Sequence, residues 1–215
     1  MSAFATNSSP PSPVGTSLLA QRPGVRHRLR ALRVRARRGG RVELRGWPLL
    51  GTGVQFDVAP GARVIVGDGA SLGEHCRVHV HAGTVTIGER AVLGDRCVIA
   101  GRAGVLIGER CLLGDEVAII DFDHGIDDVE APIRLQERVS SPVRIEADAV
   151  LGPRSAILRG VRVGAGARVG AGSVVTRDVA AGAAVEGGPA RPPTRPPDPS
   201  AQPLRTRRDG RRTDG

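Results

Sequence analysis

Aliphatic residues recur at every sixth position through the middle of the chain. Val66, Leu72 and Val78 form one set; Ile87, Leu93 and Ile99 a second; Ile107, Leu113 and Ile119 a third. Ile145, Leu151 and Ile157 then run without a break into Val163, Val169 and Val175. Many are followed by glycine, as at Gly88, Gly94, Gly108 and Gly114. Between sets the step is nine, eight, twenty-six and six residues. This period fits neither an amphipathic helix nor a long strand. It predicts one short strand and one corner per repeat, and one triangular coil per three repeats. Each aliphatic side chain points into the prism, and the glycine behind it tolerates the corner backbone, where a Cβ would often clash. Stacked coils then bury a continuous column of Val, Ile and Leu. Residues in excess of the repeat must loop out from a corner.

Composition agrees with such a core. Aromatic residues make up 2% of the 215 residues, with three Phe, one Trp and no Tyr, so rings cannot fill the interior. No apolar run is long enough to span a membrane, and no apolar segment of a secretory signal stands at the N-terminus. Cys76, Cys97 and Cys111 form no CxxC pair and are expected to be reduced thiols of a cytoplasmic protein. Each lies four residues past an inward aliphatic, which predicts a packing role.

The net charge of +9 is unevenly spread. Residues 1–46 carry ten Arg and one Glu, residues 47–190 fourteen Arg against eighteen acids, and residues 191–215 seven Arg and three Asp. The body is mildly acidic, so no nucleic-acid partner is expected. Residues 1–22 and the Pro/Arg tail 192–215 are expected to be disordered. The basic arm 23–46 places Val25, Leu29, Leu32 and Ala36 at helical spacing, although part of it also alternates as a strand would. A short basic amphipathic helix there would cap the end of the domain or touch an anionic membrane surface.

The candidate chemistry lies in the longest insertion, residues 121–142. A loop of this length inside a regular coil implies a use. It holds His124, flanked by Asp121, Asp123, Asp127 and Asp128. A histidine can take a proton from a hydroxyl and return it to a leaving group near neutral pH. A carboxylate on its other ring nitrogen would orient it, and either Asp121 or Asp123 could serve. His75, His79 and His81 lie in one stretch, but His75 and His81 fall at corners, and no metal site is expected.

Residues 142–191 carry the most specific pattern: GAGSVVTRD over Gly170–Asp178 and GGPAR over Gly187–Arg191. These motifs and the repeat over about 58–191 resemble the hexapeptide-repeat acyltransferases, in particular sugar O-acetyltransferases of the maltose, galactoside and colanic-acid type. The resemblance implies an all-β fold, a left-handed parallel β-helix of about five to six coils over residues 47–191 with one protruding loop. It implies acetyl-CoA as acyl donor and no required metal. It also implies a cytoplasmic homotrimer in polysaccharide biosynthesis, at the inner membrane surface if the basic arm touches lipid. Carried onto this sequence, His124 is the general base. Gly152, Ala171 and Thr176 contact the cofactor through corner backbone, and Arg177 and Arg191 lie near its phosphates. Gln136, in a Pro-x-x-x-Gln pattern with Pro132, binds sugar. The chain departs from the family pattern at Glu146, Val150, Pro153, Arg159 and Gly188. The function implied is O-acetylation of a sugar or glycan hydroxyl by direct transfer. The alternatives are N-acetylation of an amino-sugar and a non-catalytic β-helix scaffold.

Overall fold

The computed structural model of the chain describes residues 40–124 and 138–193, together with residues 27, 30–32 and 34. Short strands wind into a left-handed parallel β-helix with three faces. The first face stacks Val42–Leu44, Arg63–Val66, Thr84–Ile87, Val105–Ile107, Val143–Ile145 and Arg162–Val163. The second runs from Leu49–Leu50 through Ser71–Leu72, Val92–Leu93, Leu112–Leu113, Val150–Leu151 and Arg168–Val169 to Ala184–Val185. The third stacks Gln55–Val58, Arg77–Val80, Val98–Gly101, Ala118–Ile120, Ala156–Ile157 and Val174–Val175. Neighbouring strands on every face are parallel and pair inward residue to inward residue, as in Ile87↔Ile107↔Ile145. All fifteen aliphatic positions of the repeat are at most 3% exposed.

The repeat begins one coil earlier than Val66. Leu44, Leu50 and Phe56 fill the same inward slots at the same six-residue spacing. An aromatic in the third slot, and Arg45 and Asp57 where glycine often stands, hide this coil in the sequence. Residues 42–46, grouped with the basic arm above, therefore belong to the prism. The unequal steps between sets all fall at one corner, where the third face passes back to the first. The 121–142 insertion leaves there, between the fourth and fifth coils.

Glycine serves the corners differently from the expectation. At most corners after the first and second faces the residue with positive φ lies three positions after the inward aliphatic, and seven of these are not glycine: His75, Arg90, Arg96, Arg110, Glu116, Asp148 and Arg154, with φ between 54° and 60°. Such a conformation costs about 1–2 kcal/mol for an L-residue. It is held by the amide of that residue, which donates to the coil before, as Arg96 does to Glu74 at 2.8 Å and Arg154 to Asp115 at 2.8 Å. The glycine directly after the aliphatic is needed for closeness between coils. A Cβ on Gly108 would lie 2.6 Å from the Ala147 nitrogen.

The left-handed corner residues also carry charge in columns. Glu116 bridges Arg96 at 2.9 Å and Arg154 at 3.0 Å, one coil to either side. Arg110 pairs with Asp148 at 2.8 Å; outside the left-handed positions, Arg162 pairs with Glu146 at 2.6 Å. These neighbours hold the carboxyl groups of Glu116, Asp148 and Glu146 below their ordinary range. The pairs are exposed, so each is weak and screened by salt.

The arm caps the first coil. Residues 27, 30–32 and 34 are helical. The Leu50 carbonyl lies 3.0 Å from His27 Nδ1 and accepts from the Arg30 guanidinium at 3.1 Å, with a further bond from Arg30 to the Thr52 hydroxyl at 2.9 Å. Leu32, the one described residue of the four at helical spacing, does not face the core. Ala31 is buried and Val34 half-buried against the core, whereas Leu32 is 49% exposed. The expected partners Val25, Leu29 and Ala36 lie outside the described residues. Among the described residues no helix is long and apolar enough to cross a membrane.

Two stability outcomes follow from this geometry. Gly108→Ala should lower unfolding stability by about 1–3 kcal/mol in urea titration, the usual cost of overpacking. Gly172→Asn should change it by less than about 1 kcal/mol, because Asn enters the left-handed region readily and nothing lies within 4 Å of a Cβ there. The carboxylate ladder adds a pH dependence. Its folded pKa values lie below the unfolded values of 4.5 for Glu and 3.8 for Asp, so its contribution is present above them and lost as pH falls through the folded values. The melting temperature should therefore fall below about pH 4.5, less steeply in Glu116→Gln and in high salt.

Candidate active site

The insertion leaves the prism through Asp121. This residue is fully buried. Its carboxylate accepts two backbone hydrogen bonds, from Arg102 N–H at 2.7 Å and Gly104 N–H at 2.6 Å. Its own carbonyl accepts from Ser141 N–H at 2.9 Å, on the returning side of the insertion. Beyond it, Phe122–His124 and Arg138–Ser140 form an antiparallel pair, with Phe122 opposite Ser140, Asp123 opposite Val139 and His124 opposite Arg138. This two-stranded stem stands apart from the three parallel faces. His124 is the last described residue before the tip, and Asp123 is exposed beside it. Asp127, Asp128, Pro132 and Gln136 lie outside the described residues.

Two residues at the stem, Phe122 and Arg138, went unnoticed in the sequence, and His81, placed there only at a corner, joins them. The Phe122 ring meets the His81 ring edge-on, with centroids 5.5 Å apart and planes at 82°. The Arg138 guanidinium lies over the Phe122 ring at 5.9 Å. His81 comes from the same corner two coils earlier, where its amide donates to the Gly101 carbonyl. A Phe beside the candidate base, in a chain with only three, was the available signal.

The residues expected near the cofactor fall at the C-terminal end of the prism. Gly152 and Ala171 stack at the corner between the second and third faces. A Cβ on Gly152 would lie 2.5 Å from the Ala171 nitrogen. Pro153 joins the same stack and accepts a bond from Gly172 N–H at 2.8 Å. Thr176 and Arg177, both exposed, follow the last strand of the third face. In the stacking register Arg177 lies above Arg159, which lies above Asp121. Two coil spacings separate Asp121 from Arg177, about 10 Å along the axis. Gly187–Ala190 closes on the same strand, where Val174 N–H donates to the Gly187 carbonyl and Ala190 N–H to the Val174 carbonyl. Arg191 is tied to Glu186 by paired backbone bonds of 2.8 and 2.9 Å, and its side chain is exposed. The candidate cofactor residues thus border the third face of the last two coils, and the stem whose strand ends at His124 leaves the edge of the same face one coil earlier.

Charge is polarised along the axis. Residues 42–121 carry seven Arg against ten acids, and residues 143–193 seven Arg against four acids. The basic end is the one that holds Arg177 and Arg191.

The remaining histidines and the cysteines have structural surroundings. His75 holds a left-handed corner, and His79 Nδ1 is 3.7 Å from an Asp57 oxygen. Among the described residues no three His, Cys, Asp or Glu side chains converge as metal ligands. The three cysteines are buried, and each thiol donates to a carbonyl of the next coil, Gly94, Gly114 or Glu146, at 3.0–3.2 Å. A hydrogen bond with Cys76 and burial raise the Cys97 thiol, and burial raises Cys111. The hydrogen bond with Cys97 holds the Cys76 thiol below its ordinary range, but burial closes all three to reagents in solvent. A disulfide-exchange reagent should modify none of the three in the native protein within minutes, and all three after unfolding in urea.

Comparison with known proteins places the repeat. Residues 84–120 and 142–177 match the hexapeptide repeat of succinyl-transferase. A probable acetyltransferase of Mycobacterium tuberculosis is 34% identical over 120 residues, 55% of this chain. The chain spans 40% of that relative's length. Among solved structures, a point mutant of AntD, an N-acyltransferase from Bacillus cereus, superposes with a TM-score of 0.63 at 17% identity, over 79% of this chain and 88% of that one. A maltose O-acetyltransferase from Clostridium difficile gives 0.50 at 19% identity, over 81% and 79%. At these identities the structural likeness establishes the fold.

Proposed function

We propose that this hexapeptide-repeat protein is an acetyl-CoA-dependent O-acetyltransferase acting on a hydroxyl of a sugar or glycan precursor, with His124 as general base. The observation that carries the reading is a stem that leaves the prism and bears His124, beside a face whose far end is basic. The relative of 34% identity, itself a probable acetyltransferase, supports the acetyl group as cargo. The AntD complex with coenzyme A and a dTDP-amino-sugar supports a coenzyme A thioester as donor.

In this reading His124 takes the proton of the acceptor hydroxyl as its oxygen attacks the thioester carbonyl carbon. The carbon–sulfur bond then breaks, and the imidazolium returns the proton to the thiolate. Direct transfer needs both substrates held together and no acyl-enzyme, in keeping with the buried thiols. Gly152 and Ala171 leave little bulk at their corner, so a pantetheine chain can approach the backbone there. Arg177 and Arg191 supply guanidinium groups to the phosphates. Gln136 contacts the sugar. Three copies side by side would place the insertion of one prism near the face of another, so we take the assembly to be a homotrimer. N-acetylation of an amino-sugar uses the same base and donor, and the AntD likeness favours it as the second reading.

Thiol release from acetyl-CoA, followed with a panel of neutral sugars, amino-sugars and glycan fragments, tests the proposal. His124→Ala should lose turnover by about a hundredfold or more while still binding acetyl-CoA. Arg177→Ala with Arg191→Ala should raise the KM for acetyl-CoA by about tenfold or more, as expected when hydrogen bonds to a charged phosphate are lost, with kcat little changed. Absence of acetyl-CoA binding by the wild type would overturn the reading. Turnover confined to amino-sugars would transfer it to the second one.

A further inference from the structure

The ladder of backbone hydrogen bonds has a branch point at Asp121. In the coils before it, the residue at this corner donates its amide to the carbonyl one coil further on. His81 N–H donates to the Gly101 carbonyl at 2.8 Å. Arg102 is the residue stacked above His81, because Val80 pairs with Gly101. By the same rule Arg102 N–H should donate to the Asp121 carbonyl. It donates instead to the Asp121 side chain, at 2.7 Å. The second carboxylate oxygen accepts from Gly104 at 2.6 Å. The carbonyl so released accepts from Ser141, where the chain re-enters the prism.

The residues at this corner in the other coils are Val58, Val80, Gly101, Arg159 and Arg177. A carboxylate occupies it only in the coil from which the insertion leaves. Burying a carboxylate is strongly unfavourable unless its oxygens are bonded, and main-chain amides bond it here. Without it, the departing chain would leave the amides of Arg102 and Gly104 without acceptors inside the corner.

We infer that Asp121 is a positioning residue, a clamp that fixes the root of the insertion to the preceding corner and so sets where His124 stands, and is not the carboxylate that orients the imidazole. This rests on the proposed role of His124, but the clamp itself is measurable without turnover. The consequence for catalysis is specific. A clamp governs the fraction of molecules with the base in place, and an orienting carboxylate governs the basicity of the imidazole.

The test compares Asp121→Asn with wild type. Asparagine keeps one acceptor and turns an NH2 group toward a donor. Amide hydrogen exchange at Arg102 and Gly104 should speed up by tenfold or more, and trypsin should cut at Arg134 or Arg138 at least severalfold faster. Exchange at core amides such as Ile87 and Leu93 should stay unchanged, as should exchange throughout the corner in Asp123→Asn. If acetyl transfer is present, kcat should fall with the KM for acetyl-CoA and the pH inflection both unmoved. Unchanged exchange at Arg102 and Gly104 would overturn the clamp. So would an inflection displaced by a pH unit or more with exchange unaltered, which would make Asp121 the orienting carboxylate. If no acetyl transfer is found in wild type, exchange and proteolysis still decide the clamp, and only the enzymatic reading falls. Should Asp121→Asn fail to fold, Ser141→Pro, which removes the amide bonded to the Asp121 carbonyl, must speed tryptic cleavage of the insertion without altering core exchange. Its failure to do so would equally overturn the proposal.

Discussion

Everything in this molecule depends on one coil lying directly on the next. Main-chain amides and carbonyls of successive coils bond along all three faces and at the corners, at about the strand spacing of any parallel sheet. At the corners after the first and second faces that spacing leaves little room for a side chain between stacked backbones, so glycine stands at most of them, as at Gly108 beside Ala147. It also strings inward side chains into columns, so Ile87, Ile107 and Ile145 can fill the interior without a ring. The same register places Glu116 between Arg96 and Arg154, with the left-handed backbone at all three held by the coil before.

Stacking also dictates where chemistry can be placed. A residue added on a face would break a ladder, whereas one added at a corner lengthens a turn. All the surplus residues of this chain leave at a single edge, and the largest group carries His124. Asp121 lets the ladder continue where the chain departs, because its side chain takes the bond that a main-chain carbonyl would otherwise accept. The stem beyond it is secured by one aromatic contact, His81 with Phe122, in a protein that has almost no aromatic residues. The acidic first four coils and the basic last two then give the prism an electrostatic direction along its axis.

The sequence alone determined the prism. Its period is local, every aliphatic position it marked is buried, and the corner from which the insertion leaves follows from counting residues between sets. It also determined that the cysteines pack. Other features were illegible because they join residues about twenty or more apart that meet only when coils stack. The first coil was hidden by Phe56, which lies buried in its slot beside Val78 of the next coil. The buried side of the basic arm follows from the open end of that coil, whose Leu50 carbonyl draws His27 and Arg30 inward and turns Leu32 out. The left-handed corners fell to Arg, Glu, Asp and His because bonds from a neighbouring coil hold a conformation that local preference opposes. Asp121 read, with Asp123, as a candidate carboxylate to orient His124, and only the tertiary structure decided what its carboxylate holds. The amides it bonds belong to a corner seventeen and nineteen residues earlier, and burial makes those bonds obligatory.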